Sequence, residues 1–304
     1  MHHKILHIIP SKYKFWRYPL FFKIKYRLIT IFSRQSICIK YWINAPVFLW
    51  TTSIKNYNWG DYINQPLAEL ISGRRVIPHR FYAKPSVAMV GSILPWAITS
   101  DTIIWGSGCL DSHDTGWNHV EKPQKVSAVR GPLTRKVLLE HGIDCPEVYG
   151  DPALLFPRYY SPTPRQTRYK VGIILHVSSD YTSLPDFSYL SDSILIINPA
   201  KFGKWQDFID DILSCDMILS SSLHGLIIAD AYCVPNLWIA LTNSEHPDDN
   251  FKFKDYYFST NRDVTNPVVL ERLTPIELQK CHNNWIEPRI DLDGLLNSCP
   301  FFEK

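Results

Sequence analysis

The first 60 residues of this 304-residue chain contain no aspartate or glutamate, yet they carry ten lysines and arginines. Residues 61–304 hold 22 basic and 29 acidic residues, so a basic N-terminal segment precedes a mildly acidic body. Such a split favours an anionic surface as the partner of the segment. It does not indicate a nucleic-acid-binding protein, because the basic charge is confined to one end and no recognition motif accompanies it.

Cysteine pairs with metal-binding or redox spacing are also missing. The seven cysteines include no CxxC pair, and their odd number does not suggest a disulfide framework or a structural zinc site. His113 and His119 have acidic neighbours, but their spacing is not that of a metal site, so we expect no metal. A reducing, cytoplasmic setting is the simplest interpretation.

Long apolar runs are absent as well, because no stretch of 18 uninterrupted apolar residues occurs. We therefore expect no membrane-spanning helix, and the N-terminus lacks the features of a cleaved signal. Apolar residues do recur at helical spacing from Leu20 to Phe32, with basic residues opposite them. We expect a basic amphipathic extension over residues 1–44, in which residues 12–34 could contact a membrane peripherally. The alternatives are a helix packed on its own domain and, for part of the segment, a strand.

Apolar character is otherwise plentiful: 45% of the residues are hydrophobic and 13% are aromatic, which excludes intrinsic disorder. From residue 46 onward, short apolar runs alternate with amphipathic helical patterns. The predicted strands span residues 47–52, 87–91, 102–105, 126–129, 171–177, 194–197, 217–219 and 236–240. The predicted helices span residues 61–72, 132–141, 205–213, 223–233, 274–286 and 291–297.

A proline-rich stretch over residues 157–168 lacks apolar periodicity and is predicted to be a linker. Alternating strands and helices on both sides of it predict an α/β protein with two doubly wound Rossmann-like domains. We place these domains at residues 45–160 and 170–304, the second one closed by C-terminal helices. Ligands of such sheets bind beyond the carboxyl ends of the strands, so the cleft between the domains is the expected active site.

The most informative segment is Ser-Ser-Ser-Leu-His-Gly at residues 220–225, which follows a short predicted strand and opens a helix. Hydroxyl and free backbone N–H groups at a helix start bind anions, and the helix dipole adds positive potential there. Ser221 and Ser222 are therefore candidate phosphate ligands. His224 is a candidate acid, because a nearby phosphate would favour its protonated form. The alternative is a capping serine and a histidine with a structural role only.

Two more candidate segments follow predicted strands. Asn58 and Asp61 lie in a strand-to-helix loop, where Asp61 could act as a general base or only cap the helix. Arg130 comes directly after the predicted strand 126–129 and could hold a carboxylate or phosphate through two parallel hydrogen bonds. The alternative for Arg130 is an ion pair with a neighbouring carboxylate.

Further candidates come from three loops. The Gly106-Ser107-Gly108 loop allows a ligand to approach the backbone closely. Lys252 and Lys254 could reach an anion or belong to a solvated edge. Asp151 precedes Pro152 and is interpreted as a turn residue rather than a catalyst.

Taken in order, these segments resemble the polysaccharide pyruvyl transferase family. The likeness covers roughly residues 45–260. The matching elements are Asn58-Trp59-Gly60-Asp61, Trp105-Gly106-Ser107-Gly108, Val129-Arg130-Gly131-Pro132, Tyr149-Gly150-Asp151-Pro152-Ala153 and Ser220–Gly225. The later Phe253-Lys254-Asp255-Tyr256-Tyr257 also looks like members that act on bacterial exopolysaccharides.

The resemblance implies a two-domain fold similar to GT-B glycosyltransferases, with phosphoenolpyruvate as donor substrate and no cofactor. The acceptor would be a sugar of a growing glycan, such as a lipid-linked oligosaccharide, and the product would carry pyruvate as a cyclic ketal. Many relatives have arginine two residues before the histidine of the Leu-His-Gly motif, whereas this chain has Ser222. The resemblance therefore assigns no arginine clamp at that position.

Residue roles follow from combining the resemblance with the chemistry of the side chains. His224 is the expected acid, or the group that stabilises the leaving phosphate, and Asp61 is the expected base. The expected substrate ligands are Asn58, Gly106, Ser107, Gly108, Arg130, Ser221, Ser222 and Lys254. Two other functions remain open: a GT-B glycosyltransferase that uses a sugar nucleotide, and a non-catalytic membrane-associated scaffold for glycan assembly.

Overall fold

Ten short strands form two parallel five-stranded sheets in the part of the chain that the structure describes, and helices connect most successive strands. The structure is a computed structural model. It describes residues 37–40, 58–78, 86–111, 116–117, 120–162, 167–179, 181, 184, 193–241, 250–269 and 274–302. The prediction of an α/β protein is confirmed at the level of parallel sheets and helices.

The first half of the protein, up to residue 158, contains the first sheet. Its strands are β1 (Ile37–Lys40), β2 (Val76–Pro78), β3 (Ser86–Ala88), β4 (Thr102–Trp105) and β5 (Lys125–Ala128). Its helices are α1 (Trp59–Tyr62), α2 (Asn64–Ser72), α3 (Pro132–Glu140) and a 3₁₀ helix at Pro152–Arg158.

The second half, from residue 169, contains the second sheet. Its strands are β6 (Tyr169–Ile174), β7 (Ile194–Ile197), β8 (Cys215–Ser220), β9 (Asn236–Ala240) and β10 (Val268–Val269). Its helices are α4 (Trp205–Leu213), α5 (Leu223–Ala231), α6 (Phe251–Ser259), α7 (Pro275–Asn283) and α8 (Leu292–Asn297).

Both sheets have the same strand order. The order is β2-β1-β3-β4-β5 in the first sheet and β10-β9-β8-β6-β7 in the second. In each sheet the first strand along the chain therefore lies between the second and the third, where the direction of winding reverses. Ligands of doubly wound sheets bind at such a switch point, which here lies between β1 and β3 and between β6 and β8.

Strand β1 lies inside the segment that the sequence assigns to the N-terminal extension. It pairs with β2 and β3 in parallel register, and Ile39 is fully buried. Residues 37–40 therefore belong to the first sheet. Residues 12–34 and the strand predicted at 47–52 lie outside the described residues. Within the described part, no helix combines the length and the hydrophobicity needed to cross a bilayer.

Local signals explain several boundaries of the elements. Gly73 ends α2 with a φ of 64°, a left-handed conformation that glycine adopts without strain. Pro132 occupies the first turn of α3, where its missing N–H leaves no hydrogen bond unmade. The predicted strands 102–105, 194–197 and 236–240 and the predicted helix 205–213 have the observed bounds. The helix predicted at 61–72 begins earlier, at Trp59, and is interrupted after Tyr62.

Two tryptophans connect the two halves. Trp59 of α1 stacks on Phe208 of α4, with ring centroids 4.5 Å apart, and its Nε1 donates to the carbonyl of Trp205 at 3.0 Å. Trp105 at the end of β4 donates from Nε1 to the carbonyl of Leu295 in α8, also at 3.0 Å. These contacts belong to one hydrophobic core that includes buried residues of both halves. The connection holds the loops of the two sheets against each other.

Candidate active site

The loop between β8 and α5 lies at the switch point of the second sheet. Ser221 donates its backbone N–H to the carbonyl of Ile174 at 2.9 Å, and its hydroxyl accepts from the N–H of His176 at 2.9 Å. The hydroxyl of Ser220 accepts from the Ser222 N–H at 3.0 Å and donates to the Ser222 carbonyl at 2.8 Å. These bonds hold the start of α5 at the carboxyl end of β6.

The start of α5 has the features of an anion-binding position. The first N–H groups of a helix have no intrahelical acceptors, and the helix dipole makes this end positive. Ser222 is the N-cap residue, but its side chain makes no capping hydrogen bond. Ser221 and Ser222 thus lie at the helix start where the sequence predicts them, and both are buried.

His224 lies in the first turn of α5 with only 11% of its side chain exposed. Its Nε2 atom is 3.9 Å from Oδ2 of Asp151, and neither atom has a hydrogen-bond partner. Burial and the positive charges of Arg130 and Lys252 lower the pKa of His224 to about 3. The imidazole is therefore neutral at pH 7 when no anion is bound.

The segment Asn58–Asp61 in the first half of the protein contacts His224 in the second half. Asn58 is the N-cap of α1, and its side chain accepts from the N–H of Gly60 at 3.3 Å. The capping role that the sequence left open for Asp61 therefore belongs to Asn58. Gly60 lies so close to His224 that a Cβ atom at position 60 would overlap the imidazole ring.

Asp61 is left available for chemistry. Burial raises its pKa to about 6, while the hydrogen bond from the Asn58 side chain and the charge of Lys252 act in the opposite direction. Oδ1 of Asp61 faces the loop after β3, because a Cβ atom on Gly91 would lie 3.8 Å from it. At neutral pH most of this carboxyl group is ionised and can accept a proton.

Arg130 forms the ion pair that the sequence left as its alternative role. Its side chain is fully buried, and Nε donates to Oδ2 of Asp255 at 3.1 Å. The two terminal nitrogens donate to the hydroxyl of Ser92 and to the carbonyl of Cys109, each at 2.6 Å. The guanidinium thus lies beneath the site with its edges engaged by protein groups. Arg130 therefore contributes its positive charge to the site, and it has no free edge to bind a ligand through two parallel hydrogen bonds.

The Gly106-Ser107-Gly108 loop approaches protein groups closely. Gly106 has a φ of 87°, and a Cβ atom there would overlap the ring of Pro152. A Cβ atom on Gly108 would overlap the guanidinium of Arg130. The hydroxyl of Ser107 is buried and donates to a backbone carbonyl of the β3–β4 connection at 2.9 Å. The small residues are therefore explained by packing around Arg130 and the turn before the 3₁₀ helix.

Asp151 is the residue whose importance the sequence did not reveal. It is 1% exposed, and its Oδ1 caps the 3₁₀ helix by accepting from the N–H of Ala153 at 3.0 Å. Its other oxygen faces His224. Burial raises the pKa of Asp151 to about 7, against the Ala153 hydrogen bond and the charge of Arg130. The turn role is correct, but it uses only one of the two oxygens.

Lys252 supplies the second cation of the site. Its charge lowers the pKa values of both Asp61 and His224, so it acts on the base and the acid together. Lys254, the lysine that the sequence places in the site, lies two residues further along α6. That is about 200° further around the helix axis, so the two lysines face different directions.

The buried Arg130 and Asp151, the partly buried Asp61 and the neutral imidazole of His224 thus lie near the start of α5, at the carboxyl ends of parallel strands. The charge of Lys252 acts on both His224 and Asp61. In an α/β protein, such an arrangement is suited to an anionic ligand and to acid–base chemistry. The chain belongs to the polysaccharide pyruvyl transferase family, whose model matches residues 9–243. This confirms the resemblance noted in the sequence, and the family supports a pyruvyl transfer role in polysaccharide biosynthesis.

Two relatives extend the comparison. The uncharacterized protein L143 of Acanthamoeba polyphaga mimivirus is 28% identical over 251 residues, which cover 80% of this chain and 84% of that protein. The succinoglycan biosynthesis protein ExoV of Rhizobium meliloti (strain 1021) is 29% identical over 208 residues, which cover 66% of this chain and 60% of ExoV. The second match therefore spans less than two thirds of the relative's length.

Proposed function

We propose that the protein transfers the enolpyruvyl group of phosphoenolpyruvate to two hydroxyl groups of one sugar in a polysaccharide precursor. The product is a cyclic pyruvate ketal, and phosphate is released. The observation that carries this proposal is the contact of Gly60, the neighbour of Asp61, with His224 at the start of α5 in a chain of the pyruvyl transferase family, where the charge of Lys252 acts on both His224 and Asp61. The relative named for succinoglycan biosynthesis supports a glycan as acceptor.

Donor binding needs positive charge, because phosphoenolpyruvate carries about three negative charges at neutral pH. The hydroxyls of Ser221 and Ser222 and the free N–H groups at the start of α5 are the proposed ligands of the phosphate. Lys252 supplies a cation on the adjacent helix, which offsets the absence of arginine at position 222. The buried Arg130 contributes to donor binding through its positive charge.

His224 becomes an acid only when the donor is present. Its pKa of about 3 reflects burial and two nearby cations. A bound trianion neutralises those cations and favours the imidazolium. His224 then protonates C3 of the donor, which generates an oxocarbenium-like centre at C2 that a sugar hydroxyl attacks.

Asp61 is the proposed base for the attacking hydroxyl. Its pKa of about 6 leaves it mostly ionised at pH 7, yet basic enough to take the proton. Phosphate then leaves C2, and the second hydroxyl closes the ring. Of the two hydroxyl protons released, one replaces the proton given to C3 and the other leaves with phosphate, so the reaction balances.

The proposed acceptor is a lipid-linked oligosaccharide at the cytoplasmic membrane face, with residues 12–34 as a peripheral contact. A lipid surface would attract the segment's basic residues electrostatically. The described residues include no helix that could span the bilayer, which is compatible with peripheral attachment.

Phosphate release from phosphoenolpyruvate, measured with a purified lipid-linked glycan, tests the proposal. We expect release in the wild type and a 10²- to 10⁴-fold lower rate in His224→Ala that is folded by circular dichroism. Stabilisation against heat by phosphoenolpyruvate, and not by a sugar nucleotide, separates this function from glycosyl transfer. Binding of the membrane without any turnover would instead favour the scaffold function.

A further inference from the structure

Two buried polar atoms face each other across the two halves of the protein and share no hydrogen bond. Nε2 of His224 and Oδ2 of Asp151 are 3.9 Å apart, and both are buried without any partner. A buried polar atom without a partner costs free energy, so native structures pair such atoms or use them in function. Two such atoms in one place indicate a bond that forms in another state of the site.

The carboxyl group of Asp151 is held in an orientation that favours this bond. Its Oδ1 is fixed by the N–H of Ala153 at 3.0 Å, at the start of the 3₁₀ helix. The same bond leaves Oδ2 directed at His224. A relative movement of about 1 Å would bring Oδ2 and Nε2 to hydrogen-bond distance.

Burial and the nearby charges determine whether Asp151 or His224 holds the proton before a ligand binds. Burial raises the pKa of Asp151 to about 7 and, together with Arg130 and Lys252, lowers that of His224 to about 3. Among the described residues, Arg130 and Lys252 are the other charged groups that act on the imidazole, and Asp61 adjoins Gly60 beside it. Near neutral pH the carboxyl group is therefore substantially protonated and the imidazole is neutral.

We propose that Asp151 is the proton partner of His224 and passes its proton to Nε2 when the anionic donor binds. The inference rests on the proposed function. The donor offsets the charges of Arg130 and Lys252, so the pair changes from carboxylic acid and imidazole to carboxylate and imidazolium. The proton on the opposite nitrogen, Nδ1, then becomes acidic enough to move to C3 of the donor.

Asp151 and His224 lose and regain the same number of protons in one turnover. Asp151 loses one proton to Nε2, and His224 loses one proton from Nδ1 to the donor. The proton that Asp61 takes from the sugar hydroxyl replaces the one given to C3 and restores the pair. Backbone atoms of Gly60 lie against the imidazole ring beside Nδ1 and leave no room for a Cβ atom there. Asp151 is thus a positioning residue, because it acts on the donor through the imidazole.

A titration that requires no turnover tests the pair. The full chain is labelled with ¹⁵N-histidine, and the His224 signals are followed by NMR between pH 5 and 9 in the wild type, Asp151→Asn and Asp291→Asn. Asparagine caps helices as well as aspartate does, so Asp151→Asn should keep the cap. Asp291 is a matched control, because it caps α8 by accepting from the Gly294 N–H at 2.8 Å.

We expect the wild-type His224 signals to show a transition near pH 7 as Asp151 titrates. The transition should vanish in Asp151→Asn and persist in Asp291→Asn. Inorganic phosphate, used as an anion probe, should raise the pKa of His224 in the wild type. A wild-type His224 signal that is flat near pH 7, or a transition that survives Asp151→Asn, overturns the proposal.

The kinetics of phosphate release distinguish the role of Asp151 from pyruvyl transfer itself. In Asp151→Asn, we expect kcat for phosphate release to fall by at least 10-fold, with the alkaline limb of the pH profile at least one unit lower. KM for phosphoenolpyruvate should change little. A uniform loss of kcat at every pH would indicate a structural role only and contradict the pair. An NMR transition in a wild type that releases no phosphate would refute pyruvyl transfer but leave the proton pair in place.

Discussion

The backbone of Gly60 lies against the imidazole of His224, with no room for a Cβ atom between them. The first residue belongs to the first half of the protein and the second to the other half. The contact therefore sets the distance between the helix that carries Asp61 and the helix that carries His224. A glycine at position 60 is required by this approach rather than by its own backbone conformation.

Gly60→Ala tests this contact. The added methyl group must displace the imidazole or separate α1 from α5, and a displacement of about 1 Å at a catalytic group costs roughly 100-fold in rate. We expect kcat for phosphate release to fall by about that factor. Gly142→Ala is the control, because Gly142 has a φ of 69° and no atom near its missing Cβ. It should lose stability and keep its kcat, whereas an unchanged kcat in Gly60→Ala would contradict the contact.

Asp61→Asn should lower activity and raise stability at the same time. The pKa of Asp61 in the folded protein, about 6, lies above its ordinary value of 3.8. Its contribution to stability is therefore fully present below pH 4 and is lost as the pH rises through 6. At pH 8 the asparagine variant avoids a buried charge and should be more stable by on the order of 2 kcal/mol.

The activity of Asp61→Asn provides the second measurement. We expect kcat to fall 10²- to 10⁴-fold, because the base is gone. The wild-type rate should decline as the pH falls through about 6, and the residual rate of the variant should lack that decline. Urea unfolding at pH 4 and pH 8 gives the stability difference. A variant that is less stable than the wild type at pH 8 would show that burial does not penalise this carboxylate.

Lys252→Gln should weaken donor binding and change the pH profile. A charge-assisted contact to the donor is worth about 1.5–3 kcal/mol, so KM for phosphoenolpyruvate should rise roughly 10- to 100-fold. Removing the cation also raises the pKa of Asp61, so the acid limb should move to higher pH. Lys136→Gln, on an exposed side of α3, is the control. A larger effect from Lys254→Gln would identify the other lysine as the donor ligand.

Asp255→Ala should destabilise the protein strongly. The change leaves the buried guanidinium of Arg130 without its carboxylate, which costs about 3–5 kcal/mol for a pair of this kind. Asp293→Ala breaks the ion pair with Arg158, in which both side chains are exposed, and should cost less than about 1 kcal/mol. Thermal unfolding of the two variants compares them directly. Equal shifts in Tm would mean that the buried pair contributes no more than a surface pair.

The basic segment is tested by replacing Lys23, Arg27 and Arg34 with glutamine. Each basic residue near an anionic bilayer contributes about 1 kcal/mol, so binding to phosphatidylserine vesicles at low salt should fall by about 100-fold. The control replaces Lys122, Lys136 and Lys201, which are exposed in the body of the protein. Equal losses in both triple variants would assign the binding to net charge rather than to the segment.

The elements that the sequence predicts best are those with local signals. Strand 102–105 and helix 205–213 combine a clear apolar period with turn residues at their ends, so their bounds agree with the structure. Residues 251–259 carry no such period, because helix α6 is buried on several sides and stacks Phe253 on Trp238 at 4.3 Å. The sequence therefore left both an anion contact and a solvated edge open for Lys252 and Lys254, where the structure has a largely buried helix.

The site was predictable only in part, for a related reason. His224 and Asp61 stand out in the sequence because they follow predicted strands and open predicted helices. The approach of Asp151 to His224 brings together residues 73 positions apart in the sequence and depends on how the 3₁₀ helix packs on α5. Arg130 shows the converse, since its position was predictable but its burial against Asp255 required the packing of α6. Chain position indicates which side chains reach a site, and tertiary contacts decide what they do there.

The anchoring of Trp59 has a consequence for how the enzyme can open. Its indole stacks on Phe208 of α4 and donates a hydrogen bond to the carbonyl of Trp205. The short helix α1 of the first half is therefore attached to the second half. A relative movement of the two halves would have to break these contacts or carry α1 along with α4. If α1 moves with α4, Asp61 and His224 keep their relative positions during the reaction.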